Sequence, residues 1–194
     1  MAHDRRTVIM EAAARLIARR GVRGLRIEEL AAEAGVSNGL IYYHFKDRAG
    51  VLRATLEFIN NRAERYTAEH VAAEHLTDPR AVLEQTLLLE FQDTAEVREN
   101  STAWGELRAS AMFDALLRAE LAEATRVWDG EVAGLIAAVL PAVPASLALE
   151  AAQRLTALLE GLSGRWLSEG LTLDRARTLI LGAIDAELSR LGRA

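Results

Sequence analysis

The chain contains no cysteine. Disulfide cross-links, thiolate chemistry and cysteine-ligated zinc are therefore excluded. It also has no apolar run of the kind that opens a secretory leader: MAHDRRTVIMEAAARLIARRG sets Val8, Ala12 and Leu16 on one face of a helix instead. Only one stretch lacks charge for long, the eighteen residues from Val132 to Leu149, and it holds Gly134, Pro141 and Pro144. Prolines there predict a helix end, a turn and a new helix start rather than a membrane span. The protein is expected in the cytoplasm. With 194 residues and no stretch of linker composition, it is long enough for one well-packed unit or two small coupled ones.

Net positive charge is lacking as well, since the formal balance is -5. That argues against a protein that coats nucleic acid indiscriminately. The distribution is uneven, however. Residues 1–53 carry ten basic side chains (Arg5, Arg6, Arg15, Arg19, Arg20, Arg23, Arg26, Lys46, Arg48 and Arg53) against six acidic ones, while the rest carries thirteen against twenty-two. A basic head on an acidic body suits a DNA reader whose other part stays clear of phosphates.

The segment Ile27 to Arg48, IEELAAEAGVSNGLIYYHFKDR, is the most informative part. Leu30, Ala31 and Ala34 recur at helical spacing opposite Glu28, Glu29 and Glu33, which predicts a short amphipathic helix. Gly35 supplies the left-handed residue that ends it, Val36 anchors the turn, and the Ser37 hydroxyl is placed to cap a second helix, about Asn38 to Phe45. Ile41 and Phe45, four apart, pin that helix to a core and leave Asn38, Gly39, Tyr42 and Tyr43 facing outward. The result is a helix-turn-helix.

Gly35-Val36-Ser37, Gly39, Ile41-Tyr42, His44-Phe45 and the cation Arg48 resemble the DNA-binding signature of the tetracycline-repressor (TetR) family of bacterial regulators. The motif's place in the first fifty or so residues, ahead of a longer helical region, matches as well. Two departures stand out. Arg26 occupies the position where many members have a capping threonine, and Arg48 the position where lysine is usual. The resemblance implies an all-α fold: a three-helix helix-turn-helix DNA-binding domain over 1–53 and a helical ligand-binding and dimerisation domain over 54–194. It implies no cofactor and no metal. It further implies that Asn38, Leu40 and Tyr43 meet base edges, and that Arg26, Ser37, Tyr42, His44, Lys46 and Arg48 hold phosphates, with Gly39 allowing close approach.

Beyond the motif, helices are expected from Asp47 to about His75, Arg80 to Ala95, Asn100 to Ala111, Asp114 to Leu140, Ser146 to Ser168 and Leu173 to Leu191, with Asp78 and Pro79 opening one of them. The last two offer broad apolar faces, Leu155, Leu158, Leu159, Leu162 and Trp166 on one, Leu179, Ile180, Ile184 and Leu188 on the other. The resemblance implies that these form a four-helix interface in a homodimer, which would read an inverted repeat. It also implies a small-molecule pocket, with Tyr66, Phe91, Trp104, Arg108, Met112, Phe113 and Trp128 as candidates; the same residues also suit an ordinary helical interior. The second half, with ENSTAWGELRASAMFDALL and LLEGLSGRWLSEG, looks like the choline-responsive branch of the family. A cage of Trp104 and Trp128 would suit a quaternary ammonium, though the resemblance does not make choline the ligand.

An enzyme is the rival class, and a regulator without effector is a third. His70 and Glu74 lie four apart with Glu69 and His75 nearby, but the Glu-x-x-His spacing of di-iron bundles is absent there. Ser163 between Gly161 and Gly164 lacks the spacing and preceding strand of a nucleophile elbow. Neither favours an enzyme.

Overall fold

The computed structural model describes residues 4–74 and 76–193, and these form nine α-helices and a single 3-10 turn. The order is α1 (Arg5–Arg20), the 3-10 turn Val22–Gly24, α2 (Ile27–Ala34), α3 (Asn38–Phe45), α4 (Arg48–Ala73), α5 (Pro79–Leu88), α6 (Ala95–Ala111), α7 (Ala115–Val139), α8 (Ala145–Leu167) and α9 (Leu173–Leu191). Most starts are set by a side-chain cap. Asp4, Ser37, Asp78 and Thr172 each accept a hydrogen bond from an amide of the first turn. Asp114 does the same for α7, and Asp47 for α4.

Two boundaries differ from expectation for identifiable reasons. α5 stops at Leu88, well short of Ala95, because the chain turns there: the Phe91 amide donates to the Leu88 carbonyl, and the Phe91 ring drops into a fully buried site. α6 starts at Ala95, five residues before Asn100, because the Thr94 hydroxyl accepts from the Val97 amide and caps it early. The expected end of α4 at His75 lies outside the described residues. The uncharged stretch is divided as the prolines predict, with α7 ending at Val139 and α8 beginning at Ala145. No described helix is long and apolar enough to cross a membrane.

The chain packs as two compact units. The first takes residues 1–63 and 99–122, and its core is built by Ile9, Leu16 and Ile17 of α1, Leu30 of α2, Ile41 of α3, Val51 and Leu56 of α4, Ala103 and Leu107 of α6 and Leu117 of α7. The reading helices thus share one interior with α6 and the start of α7. The second unit takes residues 64–98 and 123–194. There Leu83, Leu87 and Phe91 meet Val132 and Ile136 and the inner faces of α8 and α9. A polar link lies in that core: the Thr156 hydroxyl donates to the buried Asp129 carboxylate at 2.7 Å. A bonded pair is the form in which a buried carboxylate is tolerated.

Candidate nucleic-acid interface

The interface begins with the turn between α2 and α3. Gly35 closes α2 in the left-handed region, φ 64° and ψ 37°, and its amide donates back into the last turn. Val36 packs partly buried against the core of the first unit. At the next residue the Ser37 oxygen accepts from the Leu40 amide at 3.2 Å and starts α3. Burying Ile41 and Phe45 then fixes which way α3 faces, at about 1.5–3 kcal/mol per side chain. The opposite side is open, with Tyr43 81 % and Tyr42 49 % exposed, and Asn38, Gly39 and Lys46 exposed beside them. Leu40 and His44 are half-buried, and His44 sits edge-on to Tyr43 with ring centroids 5.2 Å apart. Two exposed phenols and an amide on the eight-residue helix, with an ammonium just past its end, put on one surface the kinds of group that hydrogen-bond base edges and phosphates.

The end of α3 is strained. Lys46 has φ 67° and ψ -52°, and the Asp47 amide bonds back to the Phe45 carbonyl at 2.8 Å across it. This is the positive-φ form of the γ-turn, rare for any residue with a side chain. Gly50 follows closely enough that a Cβ there would stand 2.0 Å from the Phe45 carbonyl oxygen.

The cations of the basic head are used unevenly. Arg15 and Arg19 both hold Glu33, at 3.1 and 2.6 Å, and push its carboxyl below the usual glutamate range, the bond from Arg19 being the larger cause. Arg20 pairs with Glu29 and Arg6 with Glu57. Arg26 caps nothing with its side chain and is exposed, as are Arg23 and Lys46. Arg48, expected at a phosphate, is also bonded within its own chain. Its guanidinium donates to the Leu25 carbonyl at 2.9 Å and to the Val22 carbonyl, because those oxygens, at the end of a one-turn helix, have no full helical ladder to satisfy them.

The candidate effector residues divide between the units. Trp104, Arg108, Met112 and Phe113 belong to the first, Tyr66, Phe91 and Trp128 to the second. Phe91 is wholly buried in the core of the second unit, edge-on to Trp166 at 6.4 Å. Met112 and Phe113 are 66 % and 84 % exposed on the α6–α7 turn. Trp104 and Trp128 each pack half-buried against their own unit's core. Arg108 is exposed. Tyr66 donates to Gln92 at 3.2 Å and stacks on His70, and partial burial followed by the Glu96 charge pushes its hydroxyl pKa up. Glu131 is likewise pushed up, by partial withdrawal from solvent first and the Glu64 carboxylate second.

The residues expected at a dimer interface divide by exposure in the single chain. Leu155, Leu159, Leu162, Trp166, Ile180, Ile184 and Leu188 are all buried within the second unit of a single chain. The broad apolar faces of α8 and α9 are spent on each other and on α5 and α7. Leu158, 38 % exposed, and Leu179, half-buried, remain at the surface.

Comparison with known proteins bears on both regions. Residues 9–55 match the model of the tetR family of bacterial regulatory proteins, and residues 79–189 match that of the BetI-type transcriptional repressor C-terminal domain. The HTH-type transcriptional regulator BetI of Yersinia pestis is 28 % identical over 91 % of this chain and 88 % of its own length. That of Burkholderia thailandensis is 30 % identical over 84 % and 81 %. Among solved structures, a TetR-family transcriptional regulator from Rhodococcus sp. superposes with a TM-score of 0.85 at 48 % identity, covering 95 % of this chain and 98 % of that one. A transcriptional regulator from Saccharomonospora viridis in complex with choline does so with 0.78 at 28 % identity, covering 93 % and 95 %. The helix-turn-helix, the helical body and both family matches agree, and the chain belongs to the tetR family of bacterial regulatory proteins, as a non-enzymatic regulator of transcription with a BetI-type C-terminal domain.

Proposed function

We propose that the protein is a cytoplasmic homodimer that represses transcription by occupying an inverted-repeat operator and leaves it on binding a small molecule. The observation that carries this reading is the exposed face of α3, with Asn38, Tyr42 and Tyr43 outward, Lys46 exposed just past its end, and Ile41 and Phe45 inward. Asn38, Leu40 and Tyr43 read bases; Arg26, Ser37, Tyr42, His44 and Lys46 hold phosphates, and Gly39 lets the backbone come close. One such helix touches few bases, so two copies about 34 to 36 Å apart are needed to single out a site.

The dimer surface is the outward side of α8 and α9. Leu149 and Leu158 are exposed there, and Cβ atoms added at Gly161, Gly164 and Gly182 would meet nothing within 4 Å. Small residues of this kind let a partner's helices approach closely, as in a four-helix packing.

The effector carries a positive charge. The choline held by the Saccharomonospora relative supports this. So do Trp128 and Glu131, three apart on one side of α7, with the Glu64 carboxylate close enough to act on Glu131. Because a ligand that binds only the folded state raises the melting temperature, choline should stabilise the protein and its uncharged isostere 3,3-dimethylbutanol should not. The operator is tested by selecting the purified protein against random duplex DNA at physiological salt. Enrichment of an inverted repeat with half-sites one turn apart supports the reading. Retention that vanishes uniformly as salt rises, with no sequence enriched, overturns it.

A further inference from the structure

The 3-10 turn between α1 and α2 is gripped from two distant places in the sequence. The buried Val22 amide donates to Glu106 Oε2 of α6 at 3.1 Å, 84 residues away. The Val22 carbonyl, one peptide unit on, accepts from the Arg48 guanidinium at the start of α4, as does the Leu25 carbonyl at 2.9 Å. Gly21 belongs to the same arrangement. Its φ is 71°, and a Cβ there would stand 2.6 Å from Glu106 Oε2, so the carboxylate is seated against bare backbone. All of these residues lie in the first unit, where Ala103 and Leu107 on either side of Glu106 are fully buried and hold α6 in place.

We infer that Glu106 is a positioning residue for operator recognition, which with Arg48 fixes the joint through which α1 leads into the reading pair α2–α3. The apolar core sets the mean orientation of that pair. Two charge-assisted clamps on successive peptide groups restrict its spread. In a dimer this matters at a distance, since a small rotation of α3 about the joint changes the separation of the two reading helices and hence the operator spacing each protomer pair tolerates. The inference rests on the dimeric reading above. The clamp's hydrogen bonds end on Val22 and Leu25 and not on α2 or α3, so base preference within a half-site is expected to be independent of it.

The test uses the inverted repeat recovered by the wild-type protein, at its selected spacing and with one base pair added or removed. Glu106→Ala is expected to bind the selected spacing more weakly and to lose about tenfold of the discrimination against the shifted spacings, the worth of one hydrogen bond to a charged group. Preference within a half-site should be unchanged. Glu106→Gln, whose amide oxygen still accepts, should recover most of the discrimination. Loss by the same factor on all three spacings, or wild-type discrimination in Glu106→Ala, overturns the inference. If Glu106→Ala does not fold, Gly21→Ala, which displaces the carboxylate from the other side, is read by the same criteria. A wild-type protein that enriches no inverted repeat overturns the dimeric reading itself, and with it this inference.

Discussion

Arg48 Nε donates to the backbone carbonyl of Leu25 at 2.9 Å, so the cation at the head of α4 is anchored inside its own protomer. Replacing it with methionine removes two donors from partly buried carbonyls. Arg48→Met should therefore cost about 1–3 kcal/mol in urea unfolding, while the slope of log K against log salt for DNA binding stays as in the wild type. A slope reduced by about one would place the guanidinium on a phosphate instead.

Lys46 is the chain's single lysine and holds a positive φ of 67°. Glycine adopts that conformation without the side-chain clash, so Lys46→Gly should raise stability by about 1 kcal/mol. It should also weaken DNA binding and lower the salt slope by about one. Unchanged DNA affinity in a stabilised variant would remove Lys46 from the interface.

Tyr42 and Asn38 are both exposed on α3 but are expected to do different things. Tyr42→Ala should weaken binding to every duplex about equally, whereas Asn38→Ala should flatten preference at one base position per half-site. Library selection on both variants separates the roles, and full operator affinity in both would show that another element reads the DNA.

Arg154 of α8 grips Glu187 of α9 with two bonds, 2.6 and 3.0 Å, and Arg190 adds a third. Arg154 is the main reason the Glu187 carboxyl lies below the usual glutamate range. A depressed carboxyl stabilises the fold above its unfolded pKa, near 4.3, and that contribution is lost as pH falls through the folded value. Acid unfolding followed by circular dichroism should begin below that point, and Glu187→Gln should be less stable near neutrality with a shallower acid limb. An acid limb identical to the wild type would assign the pH response to other carboxylates.

Leu158 and Gly161 lie three apart on the exposed side of α8. A bulky charge there would have to be buried in the proposed dimer. Gly161→Arg should shift sedimentation from dimer to monomer with helical content retained, whereas a dimer unaffected by the change would move the interface elsewhere.

Much of the reading head was legible because its rules are local. Gly35, Ser37, Ile41 and Phe45 act within a turn or two of themselves, and the structure places the α2–α3 turn and the outward tyrosines accordingly. What escaped were partnerships across the chain. Nothing near Arg48 announces that its carbonyl partners lie more than twenty residues earlier, and nothing near Glu106 points to Val22. Charge counting likewise overstated the free positive surface, because Arg15, Arg19 and Arg20 are answered by Glu33 and Glu29. On α8 and α9 the apolar pattern correctly marked the buried side of each helix. It could not say whether the burial was internal or intermolecular, and Leu155, Ile180 and Ile184 turn out to be internal.

Ala103, Leu107, Ala111 and Leu117, all far downstream of the motif, sit in the same interior as α1, α2 and α3. A reading head excised after residue 53 would leave that interior open on one flank. Swapping operator specificity between relatives by exchanging only the first fifty residues therefore creates a seam through a packed core, and donor and recipient must be matched at α6 as well as at the splice. Recombination that carries residues 99–122 along with the head keeps the seam away from it, and a change of target sequence is then inherited together with the helix that closes the head's interior.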